Sequence, residues 1–445
     1  MALIRASLPD TANNGDAGHT ADHNAIITGL TKAAYANLDS DTWLNVNEFA
    51  GATDDLKLTA VIAAEAAIRT ATGSIGNLYL CGGKTWTFLT PRTITWSGFK
   101  LTGPPGPTAD ETRGNPSPYD GGVRVRTDCG GTPWITFADD TNTTGSGTYS
   151  HYIGNLNFEA VGSGEQWGAT TATMRTSVFE NLSFTEYEHV MGRPGASWSA
   201  TAMQTQGWWY VNNARGPSFV LGGSDNIWWS EGMLIDSPSA YMGSWADSAS
   251  NNGEEFHIHF DHMEKSIVGP MYMTLRERLG GILVSGNNGT DGQLVLTGLR
   301  VEGQNNGTPA YGCLLRQMGG GTVIRDSWFA YGMSNPAAGP LGNATYNKGI
   351  IECYGGKMLL DGNWYARNVT PAVAETVPFI YNNGGEVRAC NIMRSNSDGA
   401  ATWVGRPRVM HVSGTTTVDG FNTSVGLPSG FVQTGTLVNA AGTTI

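Results

Sequence analysis

The chain has 445 residues, 38 of them acidic and 26 basic, for a formal net charge of −12. Charged residues make up only 14% while glycine takes 61 positions, which excludes coiled-coil and long-helix proteins rich in Glu, Lys, Leu and Arg. A hydrophobic share of 40%, with 14 Trp, 15 Tyr and 14 Phe, is enough for a large core and excludes disorder throughout; the acidic balance, with no Lys/Arg run, argues against nucleic acid as a partner.

The first residues turn polar too soon for a secretory signal. No stretch reaches the ~18 unbroken apolar residues of a membrane span, so membrane insertion is not expected. Residues 1–45 form an opening segment with too few large apolar residues for a core of its own. It holds turn chemistry at Asn13-Asn14-Gly15-Asp16, then Gly18-His19-Thr20-Ala21-Asp22-His23-Asn24 and one short helical stretch ending near Leu38. Such a piece orders against a partner.

Residues 46–90 read as an entry strand, a helix and a first strand pair. Thr53 or Asp54 is a good helix N-cap, and the carboxylates of Asp54 and Asp55 suit a helix N-terminus. Leu58, Val61, Ile62 and Ile68 mark an apolar stripe, and Gly73 is a stop signal. Leu78-Tyr79-Leu80 and Lys84-Thr85-Trp86 flank a Gly-Gly turn.

From residue 91 to 425 short strand-like runs recur between Gly, Asn and Ser, as in Ile153–Glu159, Phe179–Phe184, Leu296–Glu302, Val323–Phe329, Leu359–Tyr365 and Glu386–Ile392. Degenerate repeats at this period are the signature of a solenoid, whose single coil cannot bury its apolar face until neighbours stack on it. The expected fold is a right-handed parallel β-helix with the 46–90 helix capping its open first coil, where bare strand edges would otherwise recruit other chains. Residues 426–445 are a closing strand or tail. The five cysteines are scattered with no CxxC pair, so they read as small buried groups of a chain made in a reducing cytoplasm.

Two stretches resemble known families. Phe49-Ala50-Gly51-Ala52, Thr53-Asp54-Asp55, the Ala-rich helix and Leu78–Trp86 resemble the start of pectate-lyase-like β-helix proteins, including phage tailspikes. The usual Gly-Asp-Gly before the paired aspartates is missing, and Cys81 stands where proline is common. The opening, Gly15-Asp16-Ala17-Gly18-His19-Thr20-Ala21-Asp22-His23-Asn24-Ala25, is similar to minor tail proteins of phages infecting actinobacteria. There, such a segment joins a distal fibre to the tail. Together the resemblances imply a homotrimeric spike or fibre on the virion tail tip, made in the host cytoplasm. Gly18, His19, Asp22, His23 and Asn24 would meet other tail proteins, and the β-helix would bind host cell-envelope glycan.

The remaining candidates come from the residues themselves. On an alternating strand Phe256, Ile258 and Phe260 would face the core and His257, His259 and Asp261 would face out. His257 and His259 form a weak metal pair, with a polar outer face as the plainer reading. Asp261, Glu302, Asp326 and Asp361 sit near the ends of equivalent strands. Stacking would bring two carboxylates within ~5–10 Å, the range of glycoside hydrolysis, or simply line the solvent face. Trp208, Trp209, Trp228 and Trp229 lie in adjacent pairs, so one ring of each pair should face outward. Trp167, Trp198 and Trp245 lie in Gly/Ser-rich segments that read as loops. Exposed Trp beside Asn and Asp is suited to sugars; packing beneath loops or between subunits is the alternative. No phosphate loop, zincin, nucleophile elbow or dinucleotide fingerprint is present in the sequence, and no cofactor is expected. An adhesin, a tailspike depolymerase (glycosidase or lyase) and a purely structural tail-tip component all remain open, with adhesion favoured over chemistry. A free secreted enzyme is disfavoured.

Overall fold

The computed structural model describes residues 43–72, 77–104, 123–141, 147–193, 195–201, 203–212, 216, 218–225, 228–229, 233–236, 256–264, 266–276, 280–285, 293–304, 313–331, 349–367, 380–390, 393–394, 409–419, 432–433 and 437–438. They form a right-handed, single-stranded parallel β-helix. Each coil contributes one strand to each of three sheets, here A, B and C. In one coil these are Ser266–Val268, Met271–Arg276 and Gly280–Val284; in the next, Gln293–Thr297, Leu299–Gln304 and Leu315–Gln317. Each strand pairs in parallel with its counterpart one coil on.

The bend from sheet A to sheet B recurs at one place in successive coils. Asn155, Asn181, Gly298, Asp326 and Gly362 occupy it with φ between 48° and 65°. Left-handed backbone is costly for most side chains and tolerable for Gly, Asn and Asp. The repeat noticed in the sequence is this bend: Leu156 pairs with Leu182, and the bend residues Asn155 and Asn181 are 26 residues apart, with the Asn181 amide donating to Asn155 Oδ1 at 3.1 Å.

The interior is a stack of like on like. Leu156, Leu182 and Trp209 form one column and Phe158, Phe184 and Val211 another. The Phe158 and Phe184 rings lie parallel, 5.5 Å apart. Trp167 and Trp198, expected in loops, belong to this core and are wholly buried. Trp167 sits on the strand Gln166–Thr170, and a Cβ at Gly168 would come within 2.9 Å of the Trp198 ring. The glycines of this segment make room for tryptophan; they do not mark a loop. Cys313 and Cys353 are buried free thiols, while Cys81, Cys129 and Cys390 are half-buried.

Helix α1 (Asp54–Thr72) closes the first coil. Thr53 is its N-cap, its hydroxyl accepting from Leu56 N at 3.3 Å. Leu58, Val61, Ala64 and Ile68 face the core. The two aspartates reach the backbone of the first sheet B strand, Thr85–Phe88. Asp54 accepts from Thr87 N at 2.9 Å and Asp55 from Leu89 N at 2.7 Å. A strand with no coil beneath it thus finds acceptors on the helix, which is how the cap protects the edge.

Beneath the helix, Glu65 is buried and accepts from Trp96 Nε1 at 3.2 Å. Burial lifts its carboxyl from 4.5 to about 8, against smaller lowering effects of the Trp96 hydrogen bond and Arg69. The folded protein holds this proton where the unfolded chain has lost it. Its contribution to stability is therefore full below pH 4.5 and fades as pH rises towards 8. Glu65→Gln should raise stability by on the order of 2 kcal/mol at pH 8.5 and by little at pH 5; thermal unfolding across this range checks it. At the bend, Asn181→Val should cost roughly 2–3 kcal/mol in denaturant unfolding and Asn181→Gly less than about 1.

Candidate functional site

The outer face of sheet A in the first coils carries a cleft of about 580 Å³. Its strands are Trp43–Asn45, Asn77–Tyr79, Lys100–Thr102 and the first residues of Tyr152–Ala160, paired in that order. Alternation sends Leu78, Leu101 and Ile153 into the core, which leaves Tyr79, Lys100, Thr102 and Tyr152 on the outside, where they line the cleft with Trp43 and Asn155. Three aromatic side chains, one ammonium, one hydroxyl and one amide make a mostly apolar hollow with a few directed polar groups. That composition and size are those of a ligand site.

The polar groups are held from behind. Thr102 Oγ1 donates to the Gly154 carbonyl at 3.0 Å and lies 3.4 Å from the Asn155 amide. Tyr152 Oη donates to Glu180 Oε2, one coil on, at 2.8 Å. Burial first, and then the hydrogen bond and charge of Glu180, push the Tyr152 phenol well above its ordinary value. Gly154 lets the ring lie where it does: a Cβ there would fall 2.4 Å from Tyr152 Oη. The tyrosine is thus pinned at its hydroxyl and laid over Gly154, a half-buried flat surface beside a hydrogen-bonding edge.

The residues singled out in the sequence lie elsewhere. Trp209 is buried, its indole N–H donating to the Phe179 carbonyl at 3.3 Å, so it is a core residue and not a ligand contact. Trp228 and Trp229 pair in register with Ile267 and Val268; their side chains, and that of Trp208, lie outside the described residues. So do Trp245 and the opening motif Gly18, His19, Asp22, His23 and Asn24.

The four carboxylates do not form one group. Asp261 is on the outside of sheet C, where it accepts from the Ser285 hydroxyl at 3.1 Å; the same hydroxyl is 2.6 Å from His259 Nε2. Here the serine sits between histidine and aspartate, so the histidine is not oriented by the acid as a nucleophile–base–acid chain requires. Glu302 lies on sheet B opposite Ala330, its side chain outside the described residues. Asp326 and Asp361 meet at the A–B bend of adjacent coils, yet not as equivalents, because Asp361 pairs with Arg325. The register places Asp326 on the left-handed residue and Asp361 on the strand before the bend.

His257 and His259 do not share an outer face. Phe256 packs with Leu283 and Cys313 in a separate apolar cluster, while Ile258 and Phe260 join the main core. Alternation breaks between them, and His257 is fully buried, its imidazole held down to about 3 by that burial. Nearby, Arg316 and Glu352 form a buried ion pair at 2.8 Å.

No family model and no curated protein matches the sequence. In shape the chain is similar to crystal structures of DFA-IIIase from Arthrobacter chlorophenolicus A6. The form in complex with GF2 aligns at TM-score 0.57 and 11% identity, over 87% of this chain and 100% of that one. The form without its lid, also with GF2, gives 0.56 at 12%, over 88% and 98%. A third gives 0.54 at 12%, over 90% and 93%. The likeness is one of fold.

If Glu180 is what holds the Tyr152 phenol, Glu180→Gln should bring its titration partway back towards the ordinary tyrosine range. Ring-labelled tyrosine followed by NMR through alkaline pH reads this, and an unchanged Tyr152 titration would contradict the contact.

Proposed function

We propose that this protein is a glycan-binding β-helix that offers the sheet A cleft to cell-envelope polysaccharide, as the spike or fibre of a phage tail. The observation that carries the proposal is the pinned Tyr152 ring in one cleft with Trp43 and Tyr79, with Asn155 and Thr102 also lining it. Sugar rings present a flat apolar face and a rim of hydroxyls, and such a surface answers both. Aromatic side chains supply large contact area at low entropy cost, which is why they dominate binding energy where they are rigid.

The fold supports the same reading, being shared with carbohydrate-active enzymes; the DFA-IIIase structures include complexes with GF2 and with DFA-III. The tail assignment comes from the resemblance of residues 15–25 to minor tail proteins, which makes residues 1–45 the attachment segment. Trimer assembly belongs to the same proposal. Binding is favoured over cleavage because no acidic residue lines the cleft among the described residues. A depolymerase would need two carboxylates across an exposed groove, and the one pair of candidates that meets, Asp326 and Asp361, lies at the A–B bend of later coils, away from this cleft.

Purified protein should sediment with isolated actinobacterial cell envelope and release no oligosaccharide into the supernatant. Tyr152→Ala and Trp43→Ala should each weaken this binding about tenfold, near 1.4 kcal/mol, with unfolding transitions close to that of the parent. Fresh reducing or unsaturated ends in the supernatant would overturn the adhesion reading in favour of a depolymerase. Retention of full binding by both variants would overturn the cleft.

A further inference from the structure

Among the described residues the cleft has one charged lining residue, Lys100. It stands beside Tyr152 in register, on the neighbouring strand, and is half-buried. Five other cations at this end of the molecule are ion-paired, while Lys57 donates to Asn47 Oδ1 at 3.0 Å. Arg69 is paired with Asp140, Lys84 with Asp54, Arg92 with Asp55, and Arg124 and Arg126 with Glu159. Lys100 has no ion pair among the described residues. Glu180, one coil on, is engaged by the Tyr152 hydroxyl and is not a lining residue.

A protein of net charge −12 therefore has a locally cationic hollow walled by aromatic rings. Partly buried cations gain from a matching anion far more than exposed ones, because less water competes. On the outside of a highly acidic chain, an anionic polymer would be repelled everywhere except where such a charge waits for it. Resting on the glycan-binding reading above, we infer that the ligand of this cleft is an acidic saccharide. One sugar ring lies against Tyr152, a further residue of the same chain reaches Trp43 two strands beyond Lys100, and a carboxylate or phosphate group between them meets the Lys100 ammonium. Neutral polysaccharide would lack the partner for Lys100 and bind more weakly.

The test uses the whole protein and wall glycan from the envelope that it sediments with. The glycan is taken untouched, after capping its carboxylates with methylamine by carbodiimide coupling, and after stripping its phosphate with cold hydrofluoric acid. One of the two treatments should lower wild-type affinity about tenfold, and which one does so identifies the anionic group. Lys100→Gln should bind untouched glycan as weakly as the wild type binds the treated form, and should be indifferent to the treatment. Lys100→Arg should keep the preference. Rising salt should weaken the wild type more than Lys100→Gln. If both treatments leave wild-type binding intact, or if Lys100→Gln binds untouched glycan like the wild type, the inference is overturned while glycan binding stands. If no wall glycan is bound in any form, the underlying reading fails with it.

Discussion

The register of this molecule depends on the bend between sheets A and B, where the backbone turns left-handed at Asn155, Asn181, Gly298, Asp326 and Gly362. A coil is a stable object only when its strands lie directly over those of its neighbours, because each supplies the hydrogen bonds the other lacks. The bend between sheets A and B fixes where each strand begins, and residues that tolerate φ near 50–65° fix the bend. Once register is set, side chains at equivalent positions must stack. Phe meets Phe at 158 and 184, and Asn meets Asn at 155 and 181.

The same rule builds the cleft. Outward positions on sheet A fall into columns, and four successive strands bring Trp43, Tyr79, Lys100 and Tyr152 onto one surface though they are far apart in sequence. Gly154 leaves the space over the strand that the Tyr152 ring fills, and Glu180 reaches across from the next coil to hold the tyrosine. The capping helix contributes indirectly. By offering Asp54 and Asp55 to the backbone of the first sheet B strand it steadies the coil whose sheet A strands carry the cleft.

The helix, its cap and the strands around it were legible in the sequence because their signals are local: a capping hydroxyl, an apolar stripe, a Gly-Gly turn. The coil repeat was legible where coils have equal length, as between Leu156 and Leu182. It was legible even across a longer coil, as between Ser327 and Asn363, which share a hydrogen bond across 36 residues, and poorest between residues 190 and 290. The tryptophans misled because glycine beside Trp reads as loop, whereas Gly168 is small to admit the Trp198 ring. His257 misled because alternation breaks at Phe256, whose packing with Leu283 and Cys313 is set by another coil. The cleft itself was invisible, since its residues carry no motif and become neighbours only through pairings that sequence periodicity does not resolve.

The most direct measurement is the crystal structure of the protein soaked with oligosaccharide prepared from the envelope glycan it binds. Density for saccharide in the sheet A cleft, with a sugar ring against Tyr152 and hydroxyls at Asn155 and Thr102, is the expected result. A saccharide found on sheet B or sheet C, with the Tyr152 surface bare, would contradict the account.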